Sequence, residues 1–372
     1  MVIQIKKGGL IVKLIIFTAD ENNGGIKQFT LQILQTCLKI GYESTLFIPK
    51  IDSIIIPDSL KKYVVRYKKQ KDILGIMPEM IRIARMINSL NPDCVFLPDD
   101  SMFSIQVLRY VNRNIPIYMT IHDVTMHPSK LSFKRKVLNF ISLKIYRKIA
   151  FKRVKKIVVL SNNSKNRLSF IYPKIANKIT VMLLGAHCPL VDELYNPKEV
   201  IDTTINYFLF FGRIQKYKGL IRALKSFNSI DNHNNYKFII AGNGKLTLEE
   251  KNEIDKSKDI ILINRYIEDE EMLWLIANSK IVVLPYIEAS QSGVVPLCYH
   301  FGKPILASKI DGIIEFTNEK TSLLFNNDEE LKEYMKRIIF NEIDFDLYSK
   351  NCLDFEKEFL DWEKNIKNLI EE

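Results

Sequence analysis

The chain has 372 residues, 47% of them hydrophobic, with a mean hydropathy near zero and a net charge of +11. That length suits two domains of roughly 150–200 residues, each with its own core, and no apolar run reaches the roughly 18–20 residues needed to span a bilayer. The five cysteines (Cys37, Cys94, Cys188, Cys298 and Cys352) are scattered without a CxxC pair, which argues against clustered metal ligation and for free thiols in the cytosol.

The first apolar run is cut by Lys13 and passes into a Gly-containing loop, as a core strand does and a signal peptide does not. From there apolar runs alternate with helical periods, the pattern of parallel sheets wrapped by helices. The first half predicts strand Val12–Thr18, helix Ile26–Ile40, strand Ser44–Ile48, a variable stretch to about Gln70, and helix Ile73–Ile87. Strand Cys94–Leu97, helix Ser101–Val111, strand Ile115–Ile121, a basic helix, strand Ile157–Leu160, helix Ser164–Phe170 and strand Ile179–Leu183 follow. Residues 186–205 have no clean period and predict a linker between an N-terminal domain, 1–185, and a C-terminal domain, 206–352.

The second half predicts strands Tyr207–Phe211, Lys237–Ala241, Ile260–Ile263, Ile281–Pro285 and Ile305–Ala307, separated by helices. A last helix from Leu353 to Ile370 carries Phe355, Phe359, Trp362, Ile366 and Leu369 at helical spacing. The expected fold class is α/β, with two Rossmann-like domains facing a cleft.

Chemistry-bearing residues fall at the predicted strand ends. Gly24-Gly25 joins the first strand to the first helix, where small residues let a backbone approach a ligand. It is not a GxGxxG fingerprint, so a dinucleotide site is disfavoured, and a simple helix-entry turn is the alternative. His122-Asp123 follows strand PIYMTI, at the edge where open α/β sheets bind ligands; His127 is read as a loop residue.

The run FFGRIQKYKG, residues 210–219, places Arg213 at a strand end and Lys218 at the start of an amphipathic helix. Two cations beside a helix N-terminus, whose free N–H groups already favour an anion, describe a diphosphate clamp. Two exposed cations capping a βα unit fit the same pattern. Gly242-Asn243-Gly244 makes a tight turn after strand KFIIA. In LPYIEASQSGVVPL a polar loop with Glu288, Ser290, Gln291 and Ser292 leads through Gly293 and Val294 into a helix, offering N–H groups to phosphate oxygens.

Asp344-Phe345-Asp346 has the DxD spacing of a metal site but lies among helical residues, where an N-cap explains it better. No metal is expected. Between Lys134 and Lys156 stand ten Lys or Arg and no Asp or Glu, leaving the rest of the chain close to neutral. Interleaved with Phe, Leu and Ile, the segment 131–156 suits an anionic membrane surface, each cation contributing about 1 kcal/mol near the headgroups. A solvated helix face is the alternative. No nucleic-acid recognition motif accompanies it.

The 210–219 run resembles the FxGRxxxxKG segment of glycosyltransferase family 4, a retaining family with the two-domain GT-B fold. The likeness extends from about Val12 to Trp362. It implies a nucleotide-sugar donor whose diphosphate is held by Arg213 and Lys218, with help from the Ser292, Gly293 and Val294 backbone. By the same resemblance Gly24 and Gly25 approach the donor or acceptor, Gly242 lies beside the nucleotide, and Arg265 lies in the loop near the base. His122 is set against the donor sugar, and the terminal helix packs back on the N-terminal domain. Glu288 corresponds, with an offset of about one residue, to a family glutamate near the sugar. The family's second glutamate, on the ribose, is absent: Pro296 and Leu297 stand there, so Gln291 or backbone groups are left to serve.

The expected activity is metal-independent transfer of a sugar to a glycan or lipid-linked oligosaccharide, for cell-surface polysaccharide assembly at the inner face of the plasma membrane. A GT-B-type sugar-nucleotide epimerase and a non-catalytic basic membrane adaptor are the rivals.

Overall fold

A computed structural model of the chain describes residues 5–6, 9–10, 12–21, 25–51, 56–68, 73–124, 145–186, 188, 191, 193–200, 202, 204–289 and 292–371. Its contacts divide the chain into two compact units, residues 1–183 with 362–372, and residues 184–361. No described helix is long and apolar enough to cross a membrane.

The first unit is built on seven parallel strands: β1 (Lys13–Phe17), β2 (Glu43–Pro49), β3 (Val64–Tyr67), β4 (Cys94–Leu97), β5 (Ile117–Ile121), β6 (Lys156–Val159) and β7 (Ile179–Val181). Their order across the sheet is β3-β2-β1-β4-β5-β6-β7. β4 (CVFL) and β5 (IYMTI) are buried along their whole length, as a strand covered on both faces must be. Covering helices include α1 (Gly25–Lys39), α2 (Ile73–Ser89), α3 (Met102–Val107), α4 (residues 145–153) and α5 (Asn162–Ile171).

The second unit repeats the plan with six parallel strands: β8 (Tyr207–Phe211), β9 (Lys237–Ala241), β10 (Ile260–Ile263), β11 (Ile281–Leu284), β12 (Ile305–Ser308) and β13 (Ser322–Phe325). Their order is β10-β9-β8-β11-β12-β13. Helix α6 (Leu220–Asn228) follows β8 and buries Leu220, Ala223, Leu224 and Phe227, one face at i, i+3, i+4, i+7. Phe227 meets Phe208 of β8 edge to face, 5.9 Å between centroids. A buried Phe contributes about 1.5–3 kcal/mol, so this helix is fastened to the sheet immediately behind Arg213 and Lys218. Helices α7 (Leu248–Asp255), α8 (Asp269–Asn278), α9 (Val294–His300), α10 (Asp311–Ile314), α11 (Asp328–Ile339) and α12 (Phe345–Phe359) complete the unit.

In both sheets the strand order reverses once, between β1 and β4 and between β8 and β11. Those reversals open crevices at the carboxyl ends of the strands, where this class of sheet takes its ligands.

Three elements differ from the sequence expectation. β3 lies inside the stretch left unassigned before Gln70, and β13 follows the last strand expected. Both are four-residue edge strands, VVRY and SLLF, each with a polar residue that breaks the apolar run. The single helix expected over Leu353–Ile370 is two: α12 ends at Phe359, and α13 (Trp362–Glu371) starts afresh. Phe355 and Phe359 stay with the second unit, where Phe355 meets Tyr299 of α9 at 5.7 Å. Trp362, Ile366 and Leu369 are buried in the first unit. There Trp362 packs on Phe29 of α1 at 5.8 Å, and Tyr42 donates to Glu371 at 2.7 Å.

Candidate functional site

In the second unit the loop after β8 turns at Gly212, φ +95°, and presents Arg213, which is exposed and has no ion pair among the described residues. The chain then makes a 3-10 turn, Lys216–Lys218, and enters α6 through Gly219 in the left-handed region, φ +66°. Lys218 is only 8% exposed. Its ammonium folds back over the end of β8, donating to the Phe211 carbonyl at 3.4 Å and lying 5.4 Å from the centroid of the Tyr286 ring. Burial first, and then the Arg213 charge, hold this ammonium down at about 8.

The loop after β11 closes the other side of the crevice. The Ile287 N–H donates to the Tyr217 carbonyl at 2.7 Å, and Tyr217 and Tyr286 meet edge to face at 6.2 Å. Tyr286 is buried, and Ser292, also buried, stands directly before Gly293, which caps α9. Arg213, Lys218, Ser292 and Gly293 therefore stand at the one strand-order reversal of this sheet.

Two close approaches demand glycine. A Cβ on Gly242, φ +149°, would run into the Gly212 carbonyl oxygen, and one on Gly219 would run into the Pro285 carbonyl oxygen. Gly242 thus has a structural reason of its own: its turn is laced to the Arg213 loop, with Ile214 N–H donating to Asn243 at 3.0 Å. Gly219→Ala is expected to destabilise the second unit by about 2–3 kcal/mol, from the left-handed backbone plus the collision. Urea unfolding reads this directly, and an unchanged midpoint would mean the turn rearranges freely.

Beside Arg213 a cavity of about 480 Å³ opens between the ends of β8 and β9, lined by Gly212, Arg213, Gly242, Asn243, Tyr266 and Met272 among others. Arg265 does not reach into it as a free cation. Its guanidinium is spent on two carboxylates, Glu199 at 2.9 Å and Glu271 at 2.7 Å. Glu288 is exposed and without an ion pair among the described residues. Gln291 and Gly24 lie outside the described residues, as do His127 and residues 131–144 of the basic segment. Asp344 caps α12, accepting from the Leu347 N–H at 3.0 Å.

The first unit has a second cluster, at its own reversal. Asp99, after β4, is 4% exposed and accepts from Thr18 Oγ1 at 2.6 Å, Ala19 N at 3.2 Å, Ser101 N at 2.9 Å and Ser104 Oγ at 2.9 Å. It ties the end of β1 to that of β4. His122, after β5, is half-buried, its ring edge-on to Phe29 at 5.0 Å, one turn of α1 beyond Gly25. Its Nε2 lies 2.8 Å from the Pro98 carbonyl. A carbonyl only accepts, so Nε2 carries the proton and Nδ1 is the ring atom left for a ligand. Gly25 has open space where a side chain would project and no positive φ, so close approach, not backbone strain, is what a glycine permits there.

Sequence reasoning did not find the arginine that fixes this loop. Arg147 of α4 is 5% exposed. It donates from Nε to Asp100 at 2.6 Å, and from Nη1 and Nη2 to the Val124 and Asp123 carbonyls at 3.0 and 2.6 Å. In the sequence it is one cation of a basic run, and only burial distinguishes it.

Two family models match the chain one after the other: Glycosyltransferase Family 4 over residues 23–187 and Glycosyl transferases group 1 over residues 191–352. The chain belongs to glycosyltransferase family 4. An uncharacterized glycosyltransferase of Methanocaldococcus jannaschii is 25% identical over 253 residues, 63% of this chain and 62% of that protein, so this family-4 chain matches somewhat under two thirds of that relative's length. Among solved structures, Anabaena HepE in complex with UDP is similar with a TM-score of 0.71 at 12% identity, over 96% of this chain and 98% of that one. A glycosyltransferase from Rickettsia africae is similar with a TM-score of 0.69 at 18% identity, over 97% of both chains. These likenesses establish a GT-B-type fold for this family-4 member: two parallel-sheet, Rossmann-like units.

Proposed function

We propose that this family-4 protein is a retaining glycosyltransferase that moves a sugar from a nucleoside diphosphate donor to a hydroxyl of a glycan or lipid-linked oligosaccharide. The observation that carries the reading is the buried, under-coordinated Lys218 ammonium beside exposed Arg213 at the strand-order reversal of the second sheet. Among the described residues the ammonium has one long carbonyl contact and an aromatic ring, an arrangement that favours an anionic ligand. The adjoining 480 Å³ cavity is of a size to take a nucleoside. HepE, similar in fold, is solved with UDP and with UDP-glucose, which makes uridine diphosphate sugars the first donors to try.

In this reading Arg213 and Lys218 stabilise the charge that develops on the departing diphosphate, a preorganised electrostatic contribution that needs no divalent cation. His122 presents Nδ1 to the sugar, and Glu288 is a second candidate for the sugar's hydroxyls. Among the described residues no carboxylate pair is placed as nucleophile and acid, consistent with attack from the face the leaving group departs, the phosphate taking the acceptor's proton.

The acceptor is proposed to arrive at an anionic membrane surface, for polysaccharide assembly. Support comes from the described end of the basic segment. There Lys148 and Lys152 flank exposed Ile145 and Ile149, beside a groove that also includes Ile171, Pro173 and Lys174. Lys148→Glu/Lys152→Glu is expected to abolish co-sedimentation with phosphatidylglycerol vesicles and to leave donor binding intact.

The deciding experiment is a thermal-shift screen of nucleotide sugars with chelator present. A ligand at 100 times its Kd adds about 2.7 kcal/mol. A shift with one nucleotide class, absent from Arg213→Ala/Lys218→Ala, supports the clamp. No shift with any nucleotide sugar, with or without divalent cation, from folded protein overturns it. Product anomeric configuration by NMR then tests retention.

A further inference from the structure

The first unit gathers three arginines around a cavity of about 320 Å³, lined by Arg109, Arg113 and Arg153 with Leu108, Val111 and Ile149 among others. Arg109 follows α3, Arg113 stands in the loop that enters β5, and Arg153 ends α4 just before β6. The arginines therefore lie towards the amino ends of these strands, whereas His122 follows the carboxyl end of β5. The turn that carries Arg109 and Arg113 is fixed on two sides. Asn88 of α2 donates to the Tyr110 carbonyl at 3.0 Å and accepts from the Asn112 N–H at 2.9 Å. Arg153 Nη2 donates to the Asn112 and Ile115 carbonyls at 2.7 and 3.1 Å. Those bonds set the Arg153 guanidinium in place, yet among the described residues its Nε is buried without a partner and its Nη1 has no acceptor. Arg109 and Arg113 are exposed, and neither guanidinium has an acceptor or ion pair among the described residues. No described Asp or Glu lines the cavity, and residues 125–144, outside the described residues, include none. Burial first, and then the Arg113 charge, push Arg153 down from its ordinary value, the direction expected of cations gathered without a counter-charge.

We propose that this cavity is a phosphate-binding site, with Arg153 as its fixed donor and Arg109 and Arg113 as the cations that close on the ligand. A guanidinium fork meets two oxygens of a phosphate at once. A phosphate monoester carries about −1.5 to −2 at neutral pH, enough to offset most of the charge of three guanidinium groups. The apolar wall of Leu108, Val111 and Ile149 limits water and strengthens those contacts. The same chemistry is offered by free phosphate and by the headgroup of an anionic lipid. Ile149 lines both this cavity and the apolar groove that includes exposed Ile145, so a lipid held here by its phosphate has an apolar surface alongside for its chains. The site shares no residue with the donor cluster, which lies in the second unit, and it does not rest on the transferase reading.

The test is titration calorimetry on the intact chain carrying Arg213→Ala/Lys218→Ala, so that the donor clamp cannot account for a phosphate signal. Inorganic phosphate and soluble dihexanoyl phosphatidic acid are titrated in parallel, with chloride at matched ionic strength as the blank. One site per chain is expected, with a Kd of about 1 mM or tighter for at least one of the two ligands. Adding Arg109→Gln/Arg113→Gln should weaken it by about tenfold or more. Both side chains are exposed and bond nothing among the described residues, so the melting temperature without ligand should hold, which a parallel scan checks. The two ligands identify the source. Phosphatidic acid binding about tenfold or more tighter than phosphate assigns the site to a lipid headgroup, and comparable or weaker binding assigns it to free phosphate. No saturable binding of either ligand up to about 10 mM, or binding undiminished when Arg109 and Arg113 are replaced, overturns the proposal.

Discussion

Lys218→Met is expected to raise the melting temperature of the second unit while removing its affinity for a nucleoside diphosphate. The ammonium is 8% exposed, has one 3.4 Å carbonyl contact and a ring at 5.4 Å, and shares its surroundings with Arg213. Its titration falls from the ordinary 10.5 to about 8, through burial first and Arg213 second. The unfolded chain therefore holds the lysine proton more tightly than the folded one, and charged Lys218 costs the fold about 3 kcal/mol. That cost is complete below pH 8, shrinks as pH rises from about 8 towards the ordinary lysine value, and is gone above it. Methionine keeps the packing, forfeits about 0.5–1 kcal/mol of cation–π attraction, and removes the rest of the penalty. A bound diphosphate changes the balance, because it supplies the missing counter-charge. Affinity should be level below pH 8 and fall by about tenfold per unit above it, as the free protein gives up the proton that binding must recover. Melting scans at neutral and alkaline pH, with titration calorimetry of UDP and GDP, measure both effects. A less stable variant that still binds would show that Lys218 supports the fold and not a ligand.

The legibility of this molecule in its sequence follows local against long-range information. β8 and its Arg213 loop were readable because YFLFF, a glycine, two cations and the i, i+3, i+4, i+7 face of α6 all lie within twenty-odd consecutive residues. Asp344 was readable as a cap because capping is a three-residue event. The edge strands β3 and β13 were not, since VVRY and SLLF each carry a polar residue and so lack the unbroken apolar run that marks β4, β10 and β11. Nor was the break between α12 and α13, which no glycine or proline marks and which the packing of Leu360 and Trp362 decides. In the site, Asp99 and Arg147 were invisible for a related reason. Asp99 acts on Thr18, 81 positions away, and Arg147 on Asp100, 47 positions away. A buried arginine in a run of ten cations looks like its nine neighbours until the fold gives it carboxylate and carbonyl partners.

That buried arginine carries the second large expectation. Arg147→Ala should destabilise the first unit by about 3 kcal/mol, since it strips the partner from a half-buried carboxylate and leaves two carbonyls without a donor. Burial raises Asp100 above its ordinary value, with Arg147 holding it down. Without Arg147 it rises further, and the folded state then binds its proton more tightly than the unfolded chain does. The extra cost of the substitution therefore grows as pH climbs out of the carboxylate range and contracts as pH falls back into it. Denaturant midpoints of wild type and Arg147→Ala should converge towards acid. Adding Asp100→Asn should recover part of the loss at neutral pH, because the uncompensated charge is then gone. Function gives a separate readout. Arg147 holds the Asp123 and Val124 carbonyls, the two positions after His122, whereas the donor cluster lies wholly in the second unit. Sugar transfer should drop by about tenfold or more as His122 loses its fixed placement, while the Kd for the nucleotide stays within about twofold. If nucleotide affinity and turnover fell together, Arg147 would be supporting the whole protein and not the placement of His122.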